Sequence, residues 1–171
     1  KIFGVLSGRE TYGHRFHGPQ SIYLTDPALY ASLLETQCCV MPDFASRREA
    51  VHTRVLEAAK SAGGRALLDE DLLDEVTSLT EWPVALVGKF DEAFLAIPQE
   101  AIISTMQGNQ RYFPIVDEAG RLMPAFVAVS NIESREPEKV IEGNERVIRP
   151  RLADAAFFWD QDRKYPLEDH L

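Results

Sequence analysis

The segment from Arg111 to Ser130 reads RYFPIVDEAGRLMPAFVAVS, and it predicts a β-hairpin. Two apolar runs, Arg111–Val116 and Leu122–Ser130, flank the loop DEAGR, whose acidic residues and glycine suit a tight turn. Because neighbouring strand residues point to opposite faces of a sheet, we expect Tyr112 and Phe113 on opposite faces. One hairpin without a regular strand–helix–strand series favours an α+β fold over a doubly wound α/β fold.

Apolar spacing, helix-capping residues, glycines and prolines place the remaining elements on either side of this hairpin. Strands are predicted at Ile2–Leu6, Ser21–Leu24, Cys38–Met41 and Val84–Phe90. Helices are predicted after a Thr25 cap, from Phe44 to about Ala62, over Asp69–Leu79, over Gln99–Met106 with a stop at Gly108, and from Pro137 to before Pro166.

Pro150 lies inside the last predicted helix and lacks the N–H that an intrahelical hydrogen bond needs, so it predicts a kink or a break. We therefore expect a mixed or antiparallel sheet with packed helices and a long kinked C-terminal helix. We divide the chain into an α+β domain over residues 1–136 and a helical segment over residues 137–171 that leads toward a further domain.

Composition limits the class of protein. The chain has 171 residues, a formal net charge of -9 and apolar runs far shorter than the roughly 20 residues of a membrane-spanning helix. The adjacent Cys38 and Cys39 are poorly placed for a mutual disulfide, which fits a reducing cytoplasm. The missing initiator methionine leads us to expect a segment of a longer protein. The acidic charge disfavours nucleic-acid binding, so any RNA contact comes from a local basic patch or, as we favour, the main RNA contacts lie outside this segment.

Three groups of residues are candidates for RNA contacts, each with an alternative interpretation. Arg146 and Arg149 share a face of the predicted C-terminal helix, but interleaved acids allow pairing within the helix. His14–His17 suits a polar turn, an RNA or subunit contact, or metal ligation. Gln107–Phe113 combines amides, a cation and aromatic rings, as in single-strand base recognition, or it ends a helix. The candidate residues are Arg146, Arg149, Arg151, Arg163, Lys164, His14, Arg15, His17, Gln110 and Arg111.

No arrangement of residues in the sequence predicts catalysis or a metal site. A glycine-rich phosphate loop and a Gly-x-Ser-x-Gly elbow are both missing. The acids between Asp69 and Glu75 have the spacing of a solvated helix face that begins with first-turn charges. A self-contained hydrolase using Cys38 or His14 is the rival class, although an apolar environment raises the pKa of a thiol and lowers its reactivity.

Several ordered strings resemble one protein family, the beta subunit of the bacterial two-alpha, two-beta glycyl-tRNA synthetase. The resemblance runs from about Ser7 to the last residue. Its specific strings are Gly13-His14-Arg15-Phe16-His17, Leu72-Leu73-Asp74-Glu75-Val76 with Glu81-Trp82-Pro83, Phe94-Leu95-Ala96-Ile97-Pro98, Ile103-Ser104-Thr105-Met106-Gln107, Asn109-Gln110-Arg111-Tyr112-Phe113-Pro114, Ser130-Asn131-Ile132-Glu133-Ser134 and Asn144 through Asp162.

The resemblance implies a ligase subunit that supports ATP-dependent attachment of glycine to tRNA(Gly). It implies an alpha-subunit partner that holds the adenylation site, with its ATP and Mg, so no cofactor is expected in this segment. It implies a cytoplasmic protein without membrane contact, and a segment that is catalytically inactive alone. An alternative is a protein-interaction module that packs against the alpha subunit without direct RNA contact.

Overall fold

The computed structural model describes residues 8–164, which form five α-helices and two antiparallel sheets. The strands are β1 (Glu10–Thr11), β2 (Ile22–Tyr23), β3 (Arg65–Ala66), β4 (Val84–Lys89), β5 (Phe113–Val116) and β6 (Leu122–Ser130). The helices are α1 (Tyr30–Cys38), α2 (Phe44–Ser61), α3 (Glu70–Leu79), α4 (Gln99–Thr105) and α5 (Pro137–Asp162). Two 3₁₀ turns span Pro27–Leu29 and Glu92–Ala96, and a π-helical turn spans Met106–Gln110. The α+β prediction is confirmed.

The larger sheet is built on the predicted hairpin. Its four strands run in the order β3-β5-β6-β4, and every neighbouring pair is antiparallel. In the connecting turn, the Asp117 Oδ1 atom accepts the N–H groups of Ala119 and Arg121, both at 2.9 Å, and Gly120 has φ +80°. Strand β4 pairs with β6 over its whole length and forms one edge of the sheet.

A hydrophobic core lies on each face of this sheet. On one face, α2 and α3 contribute to a cluster that includes Val51, Val55, Leu73, Phe113, Ile115 and Val127. On the other face, α4 and α5 contribute to a cluster that includes Ile102, Met106, Tyr112, Phe126, Ile148 and Leu152. Tyr112 and Phe113 belong to different clusters, which confirms their predicted orientation to opposite faces.

Helices α2 and α3, which pack on one face of the sheet, begin at carboxylate caps. An Asp43 side-chain oxygen accepts the Ser46 N–H at 2.7 Å, and the Asp69 Oδ1 atom accepts the Leu72 N–H at 2.8 Å. The hydrogen bond from Ser46 lowers the pKa of the Asp43 carboxyl. Helix α2 ends before Gly63, which has φ +82°. The predicted helices from Phe44 and from Asp69 are therefore confirmed to within a residue or two.

Two predictions near α1 are wrong. Cys38–Met41 is not a strand, because Cys38 is the last residue of α1 and Cys39 has a left-handed φ of 52°. The Val40 N–H then donates to the Leu34 carbonyl at 3.0 Å, so a carbonyl group in the last turn of α1 finds its donor in a residue that follows the helix. The residue that caps the preceding 3₁₀ turn is Asp26, whose carboxylate accepts the Ala28 N–H at 2.9 Å, and not Thr25.

Helical structure also continues through two predicted interruptions. The π-helical turn carries the chain from α4 past Gly108 to Gln110, so the predicted stop at Gly108 is wrong. Helix α5 runs through Pro150 without a break, although the Arg146 carbonyl has no N–H four residues later, and the predicted kink at Pro150 stays a prediction. The predicted strand Ile2–Leu6 and the stop at Pro166 lie outside the described residues. The division into residues 1–136 and 137–171 stays a prediction.

Candidate nucleic-acid interface

The predicted His14–His17 segment forms a turn that is anchored to the end of α1. The His14 N–H donates to the Cys38 carbonyl at 2.7 Å, and the Gly18 N–H donates to the His14 carbonyl at 2.8 Å. A Cβ atom on Gly18 would lie 2.5 Å from the His14 nitrogen, so only glycine allows this close approach. The His14 side chain is 1% exposed. A buried ring of this kind fixes the turn and is inaccessible to RNA.

The His14 and His17 rings stack against each other within this turn. Their centroids are 5.0 Å apart with an interplanar angle of 23°. The His17 Nε2 atom accepts the Glu133 N–H at 2.9 Å and so connects the turn to the loop before α5. Across residues 8–164, no group of three or more His, Cys, Asp or Glu side chains has an arrangement that could hold a metal ion.

Exposed side chains surround this anchored turn. Tyr12 and Phe16 are 70% and 63% exposed, and the Arg15 guanidinium carbon lies 5.6 Å from the centroid of the Phe16 ring. Arg15 is exposed as well. Of the three candidates in this segment, Arg15 is therefore the one that can reach an external ligand.

Gln110 and Arg111 border a cleft of about 270 Å³ between α3, the end of β6 and the start of α5. Arg111 has a left-handed φ of 56° directly after the π-helical turn, and its Nε atom bonds Glu75 at 2.5 Å. Tyr112 stacks on Phe126 with centroids 4.5 Å apart. The Tyr112 hydroxyl bonds the Asn144 side chain at 2.8 Å, and burial raises the pKa of Tyr112. Tyr112 is thus a core residue and not a stacking platform for bases.

The basic residues of the C-terminal helix do not form one cluster. Arg146 pairs with Glu142 at 2.8 Å, four residues earlier on α5. Within residues 8–164, neither Arg149 nor Arg151 forms an ion pair, and both are exposed. Because residues two apart on an α-helix are separated by about 200° around the axis, these two arginines lie on opposite flanks. Arg163 lies over the Trp159 ring at 6.0 Å.

Arg149 borders a cleft that the sequence did not predict. The cleft has a volume of about 500 Å³ and is lined by Lys89, Phe90, Asp91, Phe94, Glu145 and Arg149. It combines the end of edge strand β4, the following 3₁₀ turn and one flank of α5. Lys89 and Arg149 are sixty residues apart in sequence, so no local motif marks them as neighbours. Lys164, the last candidate, is exposed after the end of α5.

The cysteines offer poor support for the rival enzyme class. Cys38 is fully buried, and burial is the main cause that raises the pKa of its thiol. Cys39 is half-buried, and its Sγ atom lies 3.9 Å from the His17 carbonyl oxygen. A nucleophilic cysteine needs a thiolate that a substrate can reach, and Cys38 meets neither condition.

The described residues thus form an α+β fold with exposed cations, and Cys38 does not meet the conditions for a nucleophile. Comparison with known proteins gives the family of the chain. Residues 1–171 match the family model described as glycyl-tRNA synthetase beta subunit, and the chain belongs to that family. It is 51% identical over 171 residues to the glycine–tRNA ligase beta subunit of Hahella chejuensis, covering 100% of this chain and 25% of that protein.

Two further relatives give the same result. The chain is 52% identical over 167 residues to the glycine–tRNA ligase beta subunit of Pseudomonas entomophila, covering 98% of this chain and 24% of that protein. It is 54% identical over 166 residues to that of Chromohalobacter salexigens, covering 97% and 24%. The chain thus spans about a quarter of the length of these curated relatives. Among the described residues, no helix is long and apolar enough to cross a membrane.

Proposed function

We propose that this segment belongs to a glycine–tRNA ligase and supports the binding of tRNA(Gly) during ATP-dependent glycylation. In this proposal the alpha subunit of a two-alpha, two-beta assembly activates glycine with ATP and Mg, and the segment contributes no catalytic residue. The observation that carries the proposal is the family match across all 171 residues. The segment alone is then inactive, and it works in the cytoplasm as part of the assembled enzyme.

The charges of the segment support a local RNA contact. The chain as a whole has a net charge of -9, which repels a polyanion at long range. Short-range contact therefore needs cations that are not already held in an ion pair. Arg149 and Arg151 on α5 meet that condition within the described residues, whereas Arg146 is paired with Glu142.

The test is the double variant Arg149→Ala/Arg151→Ala in the whole two-subunit enzyme. We expect weaker tRNA charging and a reduced salt dependence of tRNA binding, because each lost phosphate contact lowers the salt slope by about one. Glycine-dependent pyrophosphate exchange should be unchanged, since activation belongs to the other subunit. Arg146→Ala is the matched control. Wild-type charging and wild-type salt dependence in the double variant would contradict the proposal.

An alternative function is packing against the alpha subunit without RNA contact. The observation that favours it is an exposed aromatic pair near the end of α5: Phe157 and Phe158 are 58% and 64% exposed, with ring centroids 5.7 Å apart. Exposed aromatic side chains are enriched at protein interfaces. Under this alternative, Phe157→Ser/Phe158→Ser dissociates the two-subunit enzyme in analytical ultracentrifugation, whereas the double arginine variant has no effect on charging.

A further inference from the structure

Two cations, Lys89 and Arg149, line the cleft between β4 and α5, and the two carboxylates of the cleft accept hydrogen bonds from the backbone. The Glu145 Oε1 atom accepts the Lys89 backbone N–H at 2.8 Å, and the Asp91 Oδ1 atom accepts the Ala93 N–H at 2.9 Å. Both carboxylates are thus held by the backbone. Within residues 8–164, neither the Lys89 ammonium nor the Arg149 guanidinium forms an ion pair.

The Glu145 carboxylate contacts strand β4 and forms no ion pair with Arg149. Glu145 precedes Arg149 by four residues, which is the favourable spacing for a helical ion pair. Its carboxylate instead caps an N–H group on the edge of strand β4, where backbone groups would otherwise lack a partner. The same contact holds α5 against the strand and keeps Arg149 beside Lys89 in the cleft.

We propose that this cleft is a phosphate subsite for the tRNA backbone, in which Lys89 and Arg149 bind one phosphate group. The inference rests on the proposed function and names the surface that performs it. Guanidinium and ammonium groups both bind phosphates, and the half-buried Phe94 adds an apolar wall for the adjoining ribose or base. The volume of about 500 Å³ lies within the usual range for small-ligand sites and admits a nucleotide.

The carboxylates of Asp91 and Glu145 limit the two cations of the cleft to short-range contact with a phosphate. The two cations and two carboxylates of the cleft cancel formally, so the cleft contributes little long-range attraction. Its cations act at short range and fix the position of a phosphate, as backbone contacts do in other protein–nucleic-acid interfaces. We therefore expect the subsite to set the register of the tRNA on this face of the segment.

Helix α5 supplies the matched control for a test. Arg146 lies three residues before Arg149 on the same helix and is also exposed, but its guanidinium is paired with Glu142 at 2.8 Å and it does not line the cleft. Removal of either charge changes the net charge of the protein by the same amount. A difference between the two variants therefore reports the location of the phosphate and not the overall charge.

The experiment measures the dissociation constant of tRNA(Gly) for the whole two-subunit enzyme at several salt concentrations. We expect Lys89→Ala and Arg149→Ala each to weaken binding about three-fold and to lower the salt slope by about one. The double variant should lose less than the product of the two effects, because both groups contact one phosphate. Arg146→Ala should stay within a factor of two of wild type, and Arg149→Lys should retain most of the binding.

The opposing outcomes separate this inference from the proposed function. If Arg151→Ala weakens tRNA binding while Lys89→Ala and Arg149→Ala bind as wild type, the segment binds RNA elsewhere and the subsite is refuted. If Lys89→Ala and Arg149→Ala impair subunit assembly and leave tRNA affinity unchanged, the cleft binds a protein carboxylate instead. If no variant changes tRNA binding and cross-linked tRNA maps only outside residues 1–171, the subsite and the proposed function both fail.

Discussion

Phe113 is the largest fully buried side chain in the core between the sheet and helices α2 and α3. We predict that Phe113→Ala lowers the free energy of unfolding by about 3–5 kcal/mol, because the substitution removes apolar contacts and leaves a cavity. Chemical denaturation of the 171-residue chain measures the loss. Phe157→Ala, at a side chain 58% exposed, is the control and should change stability by about 0.5 kcal/mol or less.

Aromatic residues that lie in similar sequence patterns are buried to different extents in the fold. The sequence predicts that Trp82, Phe90, Phe113, Phe126 and Trp159 lie mostly in the core, because they fall on apolar faces of predicted strands and of the last predicted helix. The three phenylalanines are buried, but both tryptophans are only half-buried. Large indole rings are seldom fully buried, and their N–H needs a polar neighbour or solvent. A loss below about 1 kcal/mol in Phe113→Ala would contradict its core assignment.

The adjacent cysteines give a second test at the level of single residues. Cys38 is fully buried with a raised pKa, whereas Cys39 is half-buried. We predict that iodoacetamide at neutral pH modifies Cys39 before Cys38 in the folded chain, and that the two react at similar rates in denaturant. Mass spectrometry of the peptides measures the order. Faster reaction at Cys38 in the native chain would show that its burial is wrong.

The charges of α5 show what a sequence can and cannot predict about a site. Glu142 and Arg146 have the same four-residue spacing as Glu145 and Arg149, yet only the first pair forms an ion pair. The difference is a tertiary contact, since Glu145 accepts an N–H from Lys89, far away in sequence. The sequence therefore identified Arg149 as a candidate but could not indicate its neighbour Lys89 or the cleft between them.

Gly88 in strand β4 leaves room for the Phe126 ring, which lies in the core between the sheet and helices α4 and α5. A Cβ atom on Gly88 would lie 2.4 Å from the Phe126 ring, which is fully buried and stacked on Tyr112. We predict that Gly88→Ala destabilises the chain by about 1–3 kcal/mol, because the ring has no room to move. Denaturant unfolding measures the effect, and Gly88→Ala combined with Phe126→Leu should recover part of the loss.

Gly143 is the matched control for Gly88. It lies in the middle of α5, and a Cβ atom there would have no neighbour within 4 Å. Gly143→Ala should stabilise the chain by about 1 kcal/mol, because alanine is the better helix former. Equal effects of the two substitutions would show that backbone entropy and not the contact with Phe126 determines the role of Gly88.

The elements that the sequence predicted correctly carry local signals. The hairpin has the turn-forming residues Asp117 and Gly120, and α2 and α3 have aspartate caps. Cys38–Met41 has no such signal, since a short apolar run does not distinguish a strand from the end of a helix. Gly108 suggested a helix stop, but the chain continues in a π-helical turn that ends at Arg111 with positive φ. Such turns depend on packing that no local pattern encodes.

Taken as a whole, the described chain has two cores that share one sheet, so the helical segment from residue 137 should unfold together with the rest. Leu73 of α3 and Leu152 of α5 are both fully buried, on opposite faces. We predict that Leu73→Ala and Leu152→Ala each destabilise the 171-residue chain by about 2–5 kcal/mol and preserve a single transition. Circular dichroism and tryptophan fluorescence, with Trp82 and Trp159 as probes, should give coincident curves. If Leu152→Ala instead produces an early transition seen only by Trp159, residues 137–171 form a unit separate from the sheet, and the cleft between β4 and α5 opens before the remaining fold is lost.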